Sequence, residues 1–170
     1  MKNLLIGIGL IFGLDYAITE NGKAESWDKA KSICGPKGII NVGCGAGALS
    51  LRLGYRGGIN RASDPEVKAN IDKDPNNNGF PNFYQIDVNS QPLPFGNKEF
   101  GLAYCSHVLE HLSNWQFTMN EMQRVADFTI LVLPSPLSPS GWLSQAHEQH
   151  FSVKDMEKIV KHYPNTIIYY

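Results

Sequence analysis

Short apolar runs separated by polar, turn-forming segments recur along the chain and predict alternating strands and helices. Each run has the length of a strand and is bounded by glycine, proline, asparagine or aspartate. The predicted strands are residues 38–42, 67–72, 83–87, 100–106, 128–133 and 165–170. The run 128–133 is apolar on both faces, which is typical of a central strand in a parallel sheet.

Between these runs the apolar positions follow helical spacing. Trp27, Ala30 and Ile33 lie near one face of the first such segment. Ser152 is a plausible N-cap of the last, with Asp155 in its first turn. The predicted helices are residues 24–33, 46–53, 114–125 and 153–162, and the predicted loops include 55–66 and 134–140. Alternating strands and helices favour a parallel sheet with helices on both faces.

The first strand runs into three alternating glycines, Gly43, Gly45 and Gly47, and a helical pattern follows them. Glycine tolerates a positive φ and lets another molecule approach the main chain closely. The start of the next helix directs free N–H groups toward the same place. The G-x-G-x-G spacing differs from the G-x-G-x-x-G of dinucleotide binders. The pattern predicts either a ligand-binding turn or a simple tight turn.

Three more segments follow this turn in a fixed order. The four segments are Gly38 to Leu51, Asn70 to Pro75, Phe83 to Val88 and Phe100 to Leu112. Together they resemble the class I S-adenosylmethionine-dependent methyltransferases, and most closely a small type 11-like subgroup with an N-V-G-C-G turn and an S-H-V-L-E-H-L segment. The resemblance covers residues 38–151. It implies an α/β, Rossmann-like, doubly wound, mostly parallel sheet, and we expect this sheet to lack the last strand of the full methyltransferase fold.

The resemblance implies methyl transfer from S-adenosyl-L-methionine to an acceptor whose class the sequence leaves open. A non-catalytic module that binds S-adenosylmethionine, or that serves in interactions, is the alternative. The implied cofactor-binding residues are Asn41, Gly43, Cys44, Gly45, Gly47, Asp72, Asp87, Val88, Ser106 and His107. At Asn41 the family more often carries an acid.

The ribose of the cofactor is best held by a carboxylate that accepts two charge-assisted hydrogen bonds. The resemblance assigns this role to Asp72, at the end of the second strand. Asp64 and Asp74 remain alternatives. Asp64 follows Gly47 at a separation typical of a strand–helix–strand unit, and Asp74 lies two residues after Asp72. Asp87 is expected at the adenine amino group, with an Asx-turn as its alternative role.

Histidines are the candidate catalytic residues, because imidazole can act as a general base near neutral pH. We predict His107, His147 and His150 for this role, the last two because the family often builds its acceptor pocket after the fifth strand. Glu110 and His111 are weaker candidates that could equally serve capping or packing. We do not expect a metal site, because histidine pairs from two distant loops would have to meet.

Composition limits the remaining possibilities. The chain has 170 residues and a net charge of −1, and its lysines and arginines are scattered, so no electrostatic case for nucleic-acid binding exists. Three cysteines do not form a disulfide framework. Cys44 and Cys105 are expected to be buried as small apolar residues.

Residues 1–23 are predicted to be an apolar segment and linker, and residues 24–170 the methyltransferase-like domain. The apolar run 4–14 is too short to cross a bilayer, which takes ~20 residues. Three interpretations remain open: a retained segment that docks on a membrane surface or a partner, a signal peptide, or a buried helix or strand. The first is preferred, and it implies a cytoplasmic protein with membrane association.

Overall fold

A computed structural model describes residues 22–45, 61–138 and 146–170, which form a parallel sheet with helices on both faces. The strands are β1 (Ile39–Val42), β2 (Val67–Asp72), β3 (Phe83–Gln85), β4 (Phe100–Ser106), β5 (Ala126–Val132) and β6 (Thr166–Tyr169). Their order is β3-β2-β1-β4-β5-β6, and every neighbouring pair is parallel. The predicted doubly wound α/β fold is confirmed. The strand order reverses between β1 and β4, where ligands bind in such sheets.

Among the described residues, helices flank this sheet at α1 (22–33), α2 (Trp115–Val125) and α3 (Val153–His162), and residues 61–62 are also helical. The predicted cap of α3 is confirmed as a capping box. Ser152 and Asp155 each use a side-chain oxygen to accept a hydrogen bond from the backbone N–H of the other. Short 3-10 helices cover Gly35–Lys37, Pro75–Asn77 and Leu109–His111. The predicted helix 46–53 lies outside the described residues, as do residues 1–21 and 55–60.

Both faces of the sheet are buried because side chains alternate along each strand. On β4, Leu102 and Tyr104 face α1, where they pack with Trp27. The alternate positions Ala103 and Cys105 face the core formed with α2 and α3. The helix residues in that core are Met119, Met122, Val125, Met156 and Ile159. Two covered faces explain why the central strands carry so few polar side chains.

Two predicted strand limits were wrong, for local reasons. β3 ends at Gln85 instead of Asp87, because the chain turns at Asp87, whose carbonyl accepts hydrogen bonds from Ser90 N (3.1 Å) and Gln91 N (2.8 Å). β5 begins at Ala126, directly after α2, because no turn separates the two elements. The helices found within 22–45, 61–138 and 146–170 are too short or too polar to cross a membrane.

The cysteines behave as predicted. Cys44 and Cys105 are 2% and 1% exposed, and both are free thiols. Burial, with a smaller contribution from the nearby Asp72 carboxylate, raises the pKa of Cys44 to about 12. Burial also raises the pKa of Cys105. Both thiols are therefore neutral at pH 7 and act as small apolar side chains.

Candidate functional site

A cavity of about 580 Å³ opens at the carboxyl ends of β1, β2 and β4, at the point where the strand order reverses. This volume is typical of a site for a small molecule or cofactor. Its lining includes Asn41, Gly43, Cys44, Gly45, Asp72, Asp87, Val88, Ser106 and His107. The remaining predicted cofactor residue, Gly47, lies outside the described residues.

The glycine turn forms one wall of the cavity. Gly43 has a φ of 73°, which only glycine adopts without strain. The N–H groups of Gly43 and Cys44 both donate to the carbonyl of Ile71, at 2.8 and 3.0 Å, which ties the turn to β2. A Cβ atom at Gly43 would overlap the side chain of Val108. The turn therefore leaves main chain, not side chain, at the cavity wall.

Asp72 fixes this turn from the end of β2. Its Oδ2 accepts a hydrogen bond from Gly45 N at 2.8 Å, and its Oδ1 accepts one from Asp74 N at 2.9 Å. A Cβ at Gly45 would lie 3.0 Å from Asp72 Oδ2, so glycine permits this close approach. A carboxylate has about four lone-pair sites. Asp72 thus keeps acceptor capacity for a ligand.

The two alternatives to Asp72 are engaged elsewhere and do not line the cavity. Asp64 accepts a hydrogen bond from Glu66 N at 3.0 Å and lies 3.8 Å from Lys31 Nζ. Asp74 caps the 3-10 helix that follows it, through a bond of 2.9 Å from Asn76 N. Of the three acids, the structure brings only Asp72 to the cavity. Its role toward a ribose stays a prediction.

Asp87 and Val88 lie on the adjacent wall. Asp87 Oδ1 accepts a hydrogen bond from Asn89 N at 3.0 Å, so this residue makes the Asx-turn and also lines the cavity. The carbonyl of Val88 accepts a bond of 2.7 Å from the buried Thr118 hydroxyl of α2. This hydrogen bond fixes the Val88 side of the cavity to α2.

A family model described as a methyltransferase domain matches residues 40–127, which are 88 of the 170 residues. The chain belongs to this methyltransferase family. The family generally binds S-adenosylmethionine, and the matched stretch holds the glycine turn, Asp72, Asp87 and His107. A search of curated proteins finds no match to the chain.

The neighbours of Asn41 explain why an amide suits this position. Asn41 is 5% exposed, and its Nδ2 donates to Asn70 Oδ1 at 3.0 Å. Asn70 is fully buried and donates in turn to the carbonyls of Ala62 and Pro81, both at 2.8 Å. A carboxylate at position 41 could not donate to Asn70.

Sequence reasoning missed four polar residues that line the methyltransferase cavity: Lys23, Arg61, Lys73 and Tyr104. The Arg61 guanidinium lies 6.0 Å from the Tyr104 ring centroid, and the Tyr104 hydroxyl is 2.9 Å from Ser26 Oγ. Burial raises the pKa of Tyr104, so its hydroxyl stays protonated. Lys23 and Arg61 lie outside the motifs, Lys73 lies within one between two aspartates, and Tyr104 has the pattern of an apolar strand position, so no local signal marked them. Lys23, Arg61 and Lys73 add positive charge to a cavity that is also lined by the carboxylates of Asp72, Asp87 and Glu148.

The structure separates the three predicted catalytic histidines. His107 lines the cavity, whereas His147 and His150 do not; the residues of their segment that reach it are Ala146 and Glu148. His147 and His150 lie with Pro134 and neighbouring residues in a separate, much smaller cavity. The role of these two histidines as bases toward the acceptor stays a prediction.

His111 lines the cofactor cavity, although sequence reasoning ranked it low. Its ring contacts that of His147 edge to face, with 4.9 Å between centroids. The reason for expecting no metal site therefore does not hold, because the two distant histidine loops do meet.

Proposed function

We propose that this methyltransferase domain binds S-adenosylmethionine in the 580 Å³ cavity and transfers the methyl group to an acceptor. The observation that supports this most directly is the pairing of Asp72 with the main chain of Gly45 at the carboxyl ends of β1 and β2. When bound, S-adenosylmethionine supplies an electrophilic methyl group on a sulfonium centre. The protein has mainly to position two reactants, which needs few catalytic side chains.

Each part of the ligand has a suitable partner at the cavity wall. The glycine turn offers main chain to the methionine portion, and Arg61 offers a cation to its carboxylate. Asp72 would accept hydrogen bonds from the ribose hydroxyls, and Asp87 one from the adenine amino group. A wall with charges of both signs suits a ligand that is itself zwitterionic and cationic.

His107 is the candidate base, because it alone of the three predicted histidines lines the cavity. Its Nδ1 lies 3.1 Å from Glu110 Oε1, which orients the ring, and its backbone N–H donates to the Val132 carbonyl at 2.9 Å. The residue adopts a φ of 54°, uncommon outside glycine. Such strain is typical of residues held for function.

Titration of the full chain with S-adenosylhomocysteine should show a dissociation constant in the micromolar range or lower. This corresponds to a favourable binding free energy of at least ~8 kcal/mol. Isothermal titration calorimetry measures this, and NAD is the matched control ligand, expected to give no heat because the G-x-G-x-x-G turn is missing. Absence of both heat and a thermal shift at millimolar S-adenosylhomocysteine would contradict the cofactor assignment.

A second candidate is a non-catalytic binding module, favoured by the amide at Asn41. Both candidates predict cofactor binding. S-adenosylmethionine with a radioactive methyl group, incubated with cell extract as the acceptor source, separates them. The enzyme should transfer label in a time-dependent way, and the Asp72→Ala variant serves as the matched control.

We further propose that the run 4–14 docks on a membrane surface or a partner and keeps a cytoplasmic enzyme there. Deleting residues 1–21 should leave S-adenosylhomocysteine binding intact and change how the protein partitions between membrane and soluble fractions. Fractionation, with mass spectrometry of the mature N-terminus, measures this. A new N-terminus near Glu25 would indicate a cleaved signal peptide instead, and loss of folding would show that the run belongs to the core.

A further inference from the structure

Three side chains beside the cofactor cavity converge on one point. A carboxylate oxygen of Glu110 and one ring nitrogen each of His111 and His147 all lie within 4.8 Å of one another. Two imidazoles and a carboxylate form the ligand set that binds zinc and similar divalent ions at sites with open coordination positions.

Backbone hydrogen bonds hold the two contributing segments together. The N–H groups of Glu148 and Gln149 both donate to the carbonyl of Glu110, at 2.8 and 3.0 Å. The segment that carries His147 is thereby fastened to the segment that carries Glu110 and His111. These backbone hydrogen bonds thus keep the three side chains close to one another.

The ring of His111 is oriented as metal-binding imidazoles usually are. Its Nδ1 lies 2.8 Å from the carbonyl oxygen of Ala146. Since a carbonyl only accepts, Nδ1 is the donor in this bond, and in the neutral ring the lone pair is then on Nε2. Such a bond from the second nitrogen to a backbone carbonyl fixes the tautomer of metal ligands in general.

Glu110 provides the second, independent observation. The residue is 1% exposed, and its Oε1 is engaged by His107 Nδ1 at 3.1 Å. Its Oε2 is buried and has no hydrogen-bond partner among the described residues. Burial of a carboxylate oxygen without a partner is costly. A cation bound by Oε2 would remove that cost.

We propose that Glu110, His111 and His147 bind one divalent transition-metal ion of the zinc class. Ligand bonds of ~2.0–2.2 Å at tetrahedral angles place two ligand atoms roughly 3.3–3.6 Å apart. Binding would therefore draw together, by about an ångström, any two ligand atoms that now lie near the 4.8 Å limit. Three protein ligands leave coordination positions open, as in catalytic zinc sites. Because His111 also lines the cavity, the ion would lie at the edge of the proposed cofactor site. The metal site itself does not depend on the cofactor assignment.

Cobalt(II) is the probe, because its visible d–d absorption reports coordination by protein ligands. The full chain, freed of metal by chelation and dialysis, should bind one equivalent of Co²⁺ with a new d–d band, and Zn²⁺ should displace it. His111→Gln and His147→Gln should each weaken binding at least about 100-fold, beyond the 10–100-fold typical of second-layer residues. Glu110→Gln should do the same and also tests the buried carboxylate.

His150→Gln and His162→Gln are the matched controls. His150 lies in the same segment, with its ring centroid 6.1 Å from that of His147, and the His162 ring lies against Tyr163. Both variants should bind Co²⁺ like the parent chain. Thermal unfolding without metal shows whether each variant folds, and if Glu110→Gln does not, the two histidine variants decide.

No saturable d–d band, or equal binding by His147→Gln and His150→Gln, would overturn the proposal. An intense thiolate charge-transfer band would also overturn it, since cysteine would then be the ligand. These measurements contain no S-adenosylmethionine, so failure of the metal site is distinguishable from failure of the cofactor assignment.

Discussion

Replacing Gly101 with alanine should destabilise the domain by several kcal/mol and leave little folded protein. Gly101 lies in the central strand β4, where an added Cβ would overlap the carbonyl group of Cys34 and lie 3.1 Å from its Cα. Cys34 follows α1 and is held by a hydrogen bond from its N–H to the Ala30 carbonyl at 3.0 Å. The overlap can therefore be removed only if main chain moves. We expect the free-energy cost of that movement to exceed the ~1–3 kcal/mol of ordinary overpacking. Total stabilities are only ~5–15 kcal/mol.

Urea-induced unfolding measures this effect, and Gly79→Ala is the matched control. A Cβ at Gly79 would meet no atom within 4 Å. The free energy of unfolding of this variant should therefore lie within about 0.5 kcal/mol of that of the parent chain. If the free energy of unfolding of Gly101→Ala lay within ~1 kcal/mol of that of the parent chain, α1 would be able to shift away from the sheet.

Replacing Asp72 with alanine should weaken S-adenosylhomocysteine binding by ~1.5–3 kcal/mol, roughly 10- to 150-fold. The variant loses the proposed acceptor for the ribose hydroxyls and also the carboxylate that holds Gly45 N and Asp74 N at 2.8 and 2.9 Å. Both losses act on the same wall of the cavity. Isothermal titration calorimetry on folded variants measures the change.

Asp64→Ala is the control for that experiment, because Asp64 does not line the cavity and should leave binding unchanged. Asp72→Asn separates the two losses, since it keeps one acceptor oxygen but removes the charge. If Asp64→Ala weakens binding and Asp72→Ala does not, the assignment of the ribose carboxylate is wrong.

The sequence by itself determined the fold class and most of the described strands and helices. Apolar periodicity is local, so it marked β1, β2, β4 and α3 with their limits or within a residue of them, together with the Ser152 cap. Alternation of strands and helices implied the parallel sheet, and parallel strands bring their carboxyl ends to one edge. For that reason residues far apart in the chain, such as Gly43, Asp72 and Ser106, were correctly expected at one place.

Only the tertiary structure decided which side chains meet there. The turn after β2 directs Asp72 to the glycine turn and leaves Asp74 as a cap, a difference that a spacing of two residues cannot reveal. Arg61 and Lys23 reach the cavity from elements outside the motifs. Most clearly, the meeting of Glu110, His111 and His147 depends on hydrogen bonds between two loops, and long-range backbone pairing of this kind leaves no period or motif in a sequence.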